Sequence, residues 1–168
     1  MSINLGEKAP QFTLVASDKS KVSLSDFKGK NVVLLFFPMA FTGVCTKELC
    51  ATRDDIGRYD KTNAQVLGIS VDSPFTLAKF KEDNGLNFPL LSDFNKVASK
   101  KYGAFYAEFV LGLKGVSKRA VCALTTPTDP LSTGCSANKK PDVPSSANRV
   151  MGTVHYLFSR IFIAPAIR

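Results

Sequence analysis

The residues with the widest chemical range in this chain are its four cysteines, Cys45, Cys50, Cys122 and Cys135. None belongs to a Cys-x-x-Cys pair of the kind common in zinc sites, so no metal and no cofactor is expected. Cys45 stands apart by its neighbours, Pro38-Met-Ala-Phe-Thr42-Gly-Val-Cys45-Thr-Lys-Glu48-Leu-Cys50. The spacing places it in the first turn of a helix, where backbone N–H groups lack intrahelical partners. Those donors and the positive end of the helix dipole favour a thiolate over a thiol. Such a thiolate is a nucleophile for the O–O bond of a peroxide. The Thr42 hydroxyl, three residues back, can donate to the sulfur or to the attacked oxygen. Pro38 can cover the site and limit water. The pocket also needs a fixed cation, and Arg119 in Ser117-Lys-Arg-Ala120 is the best candidate. An arginine there would stabilise the thiolate and the charge developing on the leaving oxygen.

Around these residues we expect support rather than chemistry. Glu48 and Arg53 are expected to orient Arg119 and the loop. His155, the single histidine, is expected to be incidental, and Cys122 and Cys135 to stand outside catalysis. Phe75, Phe80, Phe88, Phe94, Phe105 and Phe109 are expected in the core, some of them on a dimer face.

The elements that must position the site follow from periodicity. Residues 12–15 and 21–24 are short strand candidates, and the apolar run 31–37, closed by Pro38, reads as a strand buried on both faces. A helix is expected over about 43–60, then a second buried strand over 65–71. Ser73-Pro74 starts a helix that stops at Asn84-Gly85. Residues 88–91 form a short strand and 94–102 a helix ended by Gly103. This alternation predicts an α/β layered domain with a central sheet. Parallel strands place their carboxyl ends at one edge, where ligands bind, and Phe37-Pro38 is at such an end.

Composition narrows the class. The 168 residues are 45% apolar and 21% charged, a globular balance. The net charge of +8 is spread along the chain, with no basic run interleaved with aromatics, so no nucleic-acid partner is expected. Residues 1–10 carry no apolar leader, and residues 156–167 are too short and too interrupted to span a bilayer. A cytoplasmic protein without a membrane partner is the expectation.

Pro-x-x-x-Thr-x-x-Cys directly after a buried strand resembles the peroxiredoxin active-site motif, and the family's arginine maps onto Arg119. Phe36-Phe37-Pro38, Arg53-Asp54, Gly68-Ile-Ser-Val-Asp72 and Phe88-Pro-Leu-Leu-Ser-Asp93 also look like family features. The resemblance covers residues 3–121. Ala40 to Cys45 is worded most like the alkyl hydroperoxide reductase E group, while the Cys45–Cys50 spacing is that of the bacterioferritin comigratory protein group. The resemblance implies a thioredoxin-like fold with a central mixed sheet flanked by helices. It also implies that Cys45 is the peroxidatic cysteine, oxidised to sulfenic acid as the peroxide leaves as water or alcohol. Thioredoxin or another thiol would be the reductant, and a homodimer is allowed. In the second group a cysteine at the position of Cys50 resolves the sulfenic acid as an intrahelical disulfide. On an intact helix, residues five apart lie about 140° apart, so that bond requires the first turns to unwind. The other reading of Cys50 is a buried small apolar residue, with a partner thiol doing the recycling.

The resemblance stops after Val121. Residues 122–148 are rich in Thr, Ser, Pro, Ala and Asn, where a peroxiredoxin has a β-hairpin and a final helix. Residues 122–168 therefore read as an atypical tail, and a reading-frame change just after Val121 is the expected cause. Codon degeneracy permits a second frame encoding a strand, an Asp-Gly turn and a strand. The nucleotide sequence tests this. Two further functional classes are considered. A thioredoxin-type disulfide reductase is disfavoured by the four residues between Cys45 and Cys50. An inactive domain, destabilised by its tail, is separated from an enzyme by whether it unfolds cooperatively.

Overall fold

The computed structural model describes residues 8–125 and the backbone of 132–137. At its centre lies β3 (Asn31–Phe36), all six residues of which are buried. Odd and even positions serve different layers. Val33, Leu35 and Phe37 join one core cluster with Leu49, Leu77, Phe80 and Phe88. Val32, Leu34 and Phe36 join a second with Phe12, Leu24, Ala98 and Tyr102. Each fully buried Leu or Phe contributes roughly 1.5–3 kcal/mol, so this strand anchors both faces.

Around it runs a seven-stranded sheet in the order β2-β1-β5-β4-β3-β8-β9. Its members are β1 (Thr13–Ala16), β2 (Lys21–Ser23), β4 (Ala64–Ser70), β5 (Leu90–Ser92), β8 (Ala120–Thr125) and β9 (Ser132–Ala137). Strands β3, β4 and β5 are parallel, and the remaining pairs are antiparallel. The sheet is thus mixed, as expected. Strand β4 approaches β5 closely at Gly68, where an added Cβ would stand 2.6 Å from Leu90 Cδ2. A separate hairpin pairs β6 (Phe105–Glu108) with β7 (Lys114–Ser117).

Several boundaries differ from the sequence reading. The helix expected over 43–60 is two, α1 (Gly43–Asp54) and α2 (Ile56–Asp60). Asp55 breaks it at φ −96°, ψ 8°, directly after Asp54 and two residues before Gly57, all weak helix formers. Helix α3 (Pro74–Asp83) begins as expected, with the Ser73 hydroxyl accepting from the Thr76 N–H and proline in the first turn. Helix α4 is only Val97–Lys101. It starts late because the buried Asp93 carboxylate accepts the N–H groups of Val97, Ala98 and Ser99. Of the six phenylalanines expected in the core, Phe80 and Phe88 are there, whereas Phe75 and Phe94 are exposed. Those two lie under the ammonium groups of Lys19 and Lys96. Phe105 and Phe109 are half-buried in the hairpin region.

The break expected at Val121 falls inside β8, which runs on to Thr125 and pairs with β9. Cys122, Ala123 and Leu124 are buried and lie opposite Leu34, Val33 and Val32. A hairpin pattern was not apparent there because β9 is built from Ser, Thr, Gly, Cys and Ala, without apolar alternation. Cys122 and Cys135 are in backbone register, and Cys122 is disulfide-bonded. His155 and the rest of the expected tail lie outside the described residues.

Candidate active site

The site forms where β3 ends. Phe37 donates its N–H to the Ile69 carbonyl, Pro38 is buried, and four residues lead into α1. Phe41 takes a left-handed backbone, φ +61°, and its ring meets Phe80 edge-on at 5.1 Å. Thr42 is the helix N-cap, but its side chain caps nothing. Its hydroxyl donates to the Met39 carbonyl at 3.0 Å. The Thr42 hydroxyl proton expected to go to the sulfur or to the attacked oxygen is here given to a carbonyl of the same loop. Its oxygen lone pairs remain to accept from a ligand.

Cys45 is the third residue of α1, in the first turn as expected, and only 1% exposed. Arg119 reaches it from a distant part of the chain. Strand β8 runs antiparallel to β3 with Ala120 opposite Phe36, so the residue before Ala120 emerges beside the loop that follows β3. From there Arg119 Nη2 donates to Cys45 Sγ at 3.3 Å. Its Nη1 forms an ion pair with Glu48 Oε2. Glu48 lies three residues after Cys45, hence on the same helix face, and is buried. The carboxylate fixes the guanidinium on one side while the sulfur takes the other.

Arg53 does not join this group. It lies eight residues from Cys45, about 12 Å farther along the helix axis. There it pairs with Asp54 at 2.8 Å and donates to the Asn84 carbonyl at 2.5 Å. The Asp54 hydrogen bond raises its pKa. Asn87 Nδ2 in turn donates to the Arg53 carbonyl. Arg53 thus ties the end of α1 to the end of α3, instead of orienting Arg119. Cys50 is half-buried against the core, and its thiol donates to Asn84 Oδ1 at 3.8 Å. Cys45 and Cys50 are both free thiols.

Sequence assigns no site role to two further residues. Asn84 reads only as a helix stop. Asp72 was only part of a family-like stretch, although its place at the carboxyl end of a parallel strand is where site residues gather. Its Oδ2 accepts the Ala40 N–H at 2.8 Å. Among the described residues no group of three His, Cys, Asp or Glu side chains could hold a metal ion. No helix among them is long and apolar enough to cross a membrane.

Residues 5–125 match the model of the AhpC/TSA family. The chain belongs to that family. A putative peroxiredoxin of Mycobacterium tuberculosis strain CDC 1551 is 44% identical over 100 residues, 60% of this chain and 64% of the relative. The chain therefore spans less than two thirds of that relative's length. A putative peroxiredoxin of Haemophilus influenzae is 41% identical over 110 residues, 66% of this chain and 71% of the relative. Among solved structures, the peroxidoxin BcpB of M. tuberculosis superposes with a TM-score of 0.79 at 26% identity, covering 94% of this chain and 97% of that one. The thioredoxin-like fold expected from sequence is the fold of that structure. The matched span ends at Thr125, where the described part of β8 also ends.

Proposed function

We propose that this chain is a thiol peroxidase that reduces hydrogen peroxide and organic hydroperoxides through Cys45. The observation that carries this reading is the 3.3 Å contact from Arg119 Nη2 to a sulfur in the first turn of α1. The guanidinium and the unpaired N–H groups stabilise negative charge on the sulfur. The thiolate attacks one peroxide oxygen, an S–O bond forms and the O–O bond breaks. Sulfur loses two electrons and becomes a sulfenic acid, and the departing alkoxide or hydroxide leaves as alcohol or water after taking a proton. Arg119 is placed to stabilise the departing oxygen, and Glu48 holds Arg119 in place. Thr42 accepts the peroxide O–H, and Pro38 keeps water from the sulfur.

Recycling consumes thiols. On one route Cys50 attacks the sulfenic sulfur, giving a disulfide and water, and thioredoxin or a similar dithiol then reduces the disulfide. Helix α1 is intact from Gly43 to Asp54, so this step requires its first turns to unwind. An external thiol acting directly on Cys45 is the other route. We place the protein in the cytoplasm, with a homodimer as an allowed assembly.

Peroxide consumption by wild type and Cys45→Ser tests the reading. Wild type is expected to consume hydroperoxide with a reductant present, and Cys45→Ser to show no rate above background. Turnover retained in the serine variant would exclude the mechanism. Mass spectrometry after one equivalent of peroxide separates the recycling routes, since a persistent sulfenic acid and a Cys45–Cys50 disulfide differ in mass and thiol count.

A further inference from the structure

The loop between β3 and α1 sets where Cys45 sits, yet its own conformation is strained. Phe41 holds a left-handed backbone at φ +61°, which a bulky side chain rarely adopts. Such a conformation persists when surrounding contacts over-determine it. From outside the loop the Phe41 ring meets Phe80, and the polar contact is made by Asp72. Its Oδ2 accepts the Ala40 N–H at 2.8 Å, next to the strained residue, and also the Ser70 hydroxyl at 2.8 Å. Asp72 is itself held on the far side. Its N–H donates to Ser70 Oγ at 3.2 Å, and its carbonyl accepts from the Ser92 hydroxyl at 2.6 Å. A chain of hydrogen bonds therefore runs from the end of β5, through the end of β4, to the loop that launches α1.

The geometry points to Asp72 as a positioning residue for the thiol chemistry: its carboxylate clamps the Ala40–Phe41 peptide region so that Cys45 meets Arg119 in reactive alignment. This rests on the reading of Cys45 as the reacting thiol. Asp72 touches neither the sulfur nor Arg119 in any contact described above. Its influence passes through Ala40, Phe41 and Thr42 to the first turn of α1. Small displacements of a reacting group cost about 10²-fold in rate, which sets the scale of the effect.

The test compares Asp72→Ala and Asp72→Asn with wild type in two assays, well below each variant's melting temperature. One is alkylation of Cys45 by iodoacetamide in a Cys50→Ser background, and the other is the second-order rate with hydrogen peroxide. Asp72→Ala is expected to lower the peroxide rate about 10- to 100-fold and to slow alkylation several-fold. Asp72→Asn keeps an oxygen for the Ala40 N–H and is expected within about three-fold of wild type, a rescue that lost stability alone would not give. Leu24→Ala, in the core cluster on the other face of the sheet, supplies a destabilised control expected to keep wild-type rates. Equal rates in Asp72→Ala and wild type would overturn the clamp, as would Leu24→Ala losing as much rate as Asp72→Ala. Should Asp72→Ala fail to fold, Ser70→Ala removes one bond to the same oxygen, and an unchanged rate there also overturns it. Alkylation needs no peroxide, so a wild type that consumes none counts against the peroxidase reading and leaves the clamp to be judged on alkylation.

Discussion

Asn84 accepts the Cys50 thiol on its side-chain oxygen at 3.8 Å. Its backbone carbonyl takes the Arg53 guanidinium, so one residue at the end of α3 grips α1 at two points. For Cys50 to reach Cys45, α1 must loosen and this grip must open. Asn84→Ala is expected to speed formation of the Cys45–Cys50 disulfide a few-fold while leaving the first oxidation of Cys45 unchanged, since Arg119 and Glu48 are untouched. Acid-quenched samples analysed by mass spectrometry over time resolve the two steps. A disulfide rate equal to that of wild type would show that Asn84 does not govern the opening.

The Glu48–Arg119 pair predicts two grades of damage. Arg119→Ala removes the donor to sulfur and is expected to lower the peroxide rate about 10²–10³-fold, the range found when one donor to a developing oxyanion is lost. Glu48→Gln leaves the cation in place but loosens its hold, and a loss of about ten-fold is expected. Glu48→Ala also strands a mostly buried guanidinium, costing about 3 kcal/mol of stability, which a denaturant titration would read.

Thr42 separates helix capping from chemistry. Its side chain caps no N–H of α1, so Thr42→Val is expected to cost only about 1 kcal/mol, for the lost bond to Met39. Peroxide reduction should nevertheless fall at least ten-fold, since the acceptor for the substrate O–H is gone. A melting temperature that drops sharply, with the rate preserved, would contradict this division.

Two buried tyrosines set an alkaline limit. Burial pushes the Tyr59 hydroxyl up to about 12, and burial likewise raises Tyr102, whose hydroxyl donates to the Pro10 carbonyl. Both folded values exceed those of the unfolded chain. Their contribution is therefore complete below about pH 10 and is lost as pH rises towards the folded values. Urea midpoints are expected to hold to pH 9 and to fall between pH 10 and 12. Tyr102→Phe should flatten that fall.

Much of this architecture was legible because single elements carried strong signals. The run Asn31–Phe37 could only be a strand buried on both faces, and Ser73-Pro74 could only open a helix. The nearness of Arg119 to Cys45 was also legible, because a thiol in the first turn of a helix has few charged partners of that reach in this chain. What escaped were relations between elements. Arg53 reads as a site residue in one dimension, but eight residues of helix carry it to the opposite end of α1. The Thr42 hydroxyl is diverted by a carbonyl of its own loop. Asp72 meets the backbone N–H of Ala40, and Asn84 takes the Arg53 guanidinium on its own carbonyl, contacts that residue identity does not display.

Strand β8 lies beside β3 only after the intervening residues have folded, and Arg119 arrives with it, 74 positions downstream of the sulfur. Until Arg119 has been synthesised Cys45 exists without that cation, so on the proposed reading a polypeptide ending before Arg119 would react slowly with peroxide. On the proposed peroxidase reading, fast oxidation of Cys45 would be confined to molecules in which β8 has docked beside β3. The rate at which that sulfur reacts would then report on whether β8 has joined the sheet.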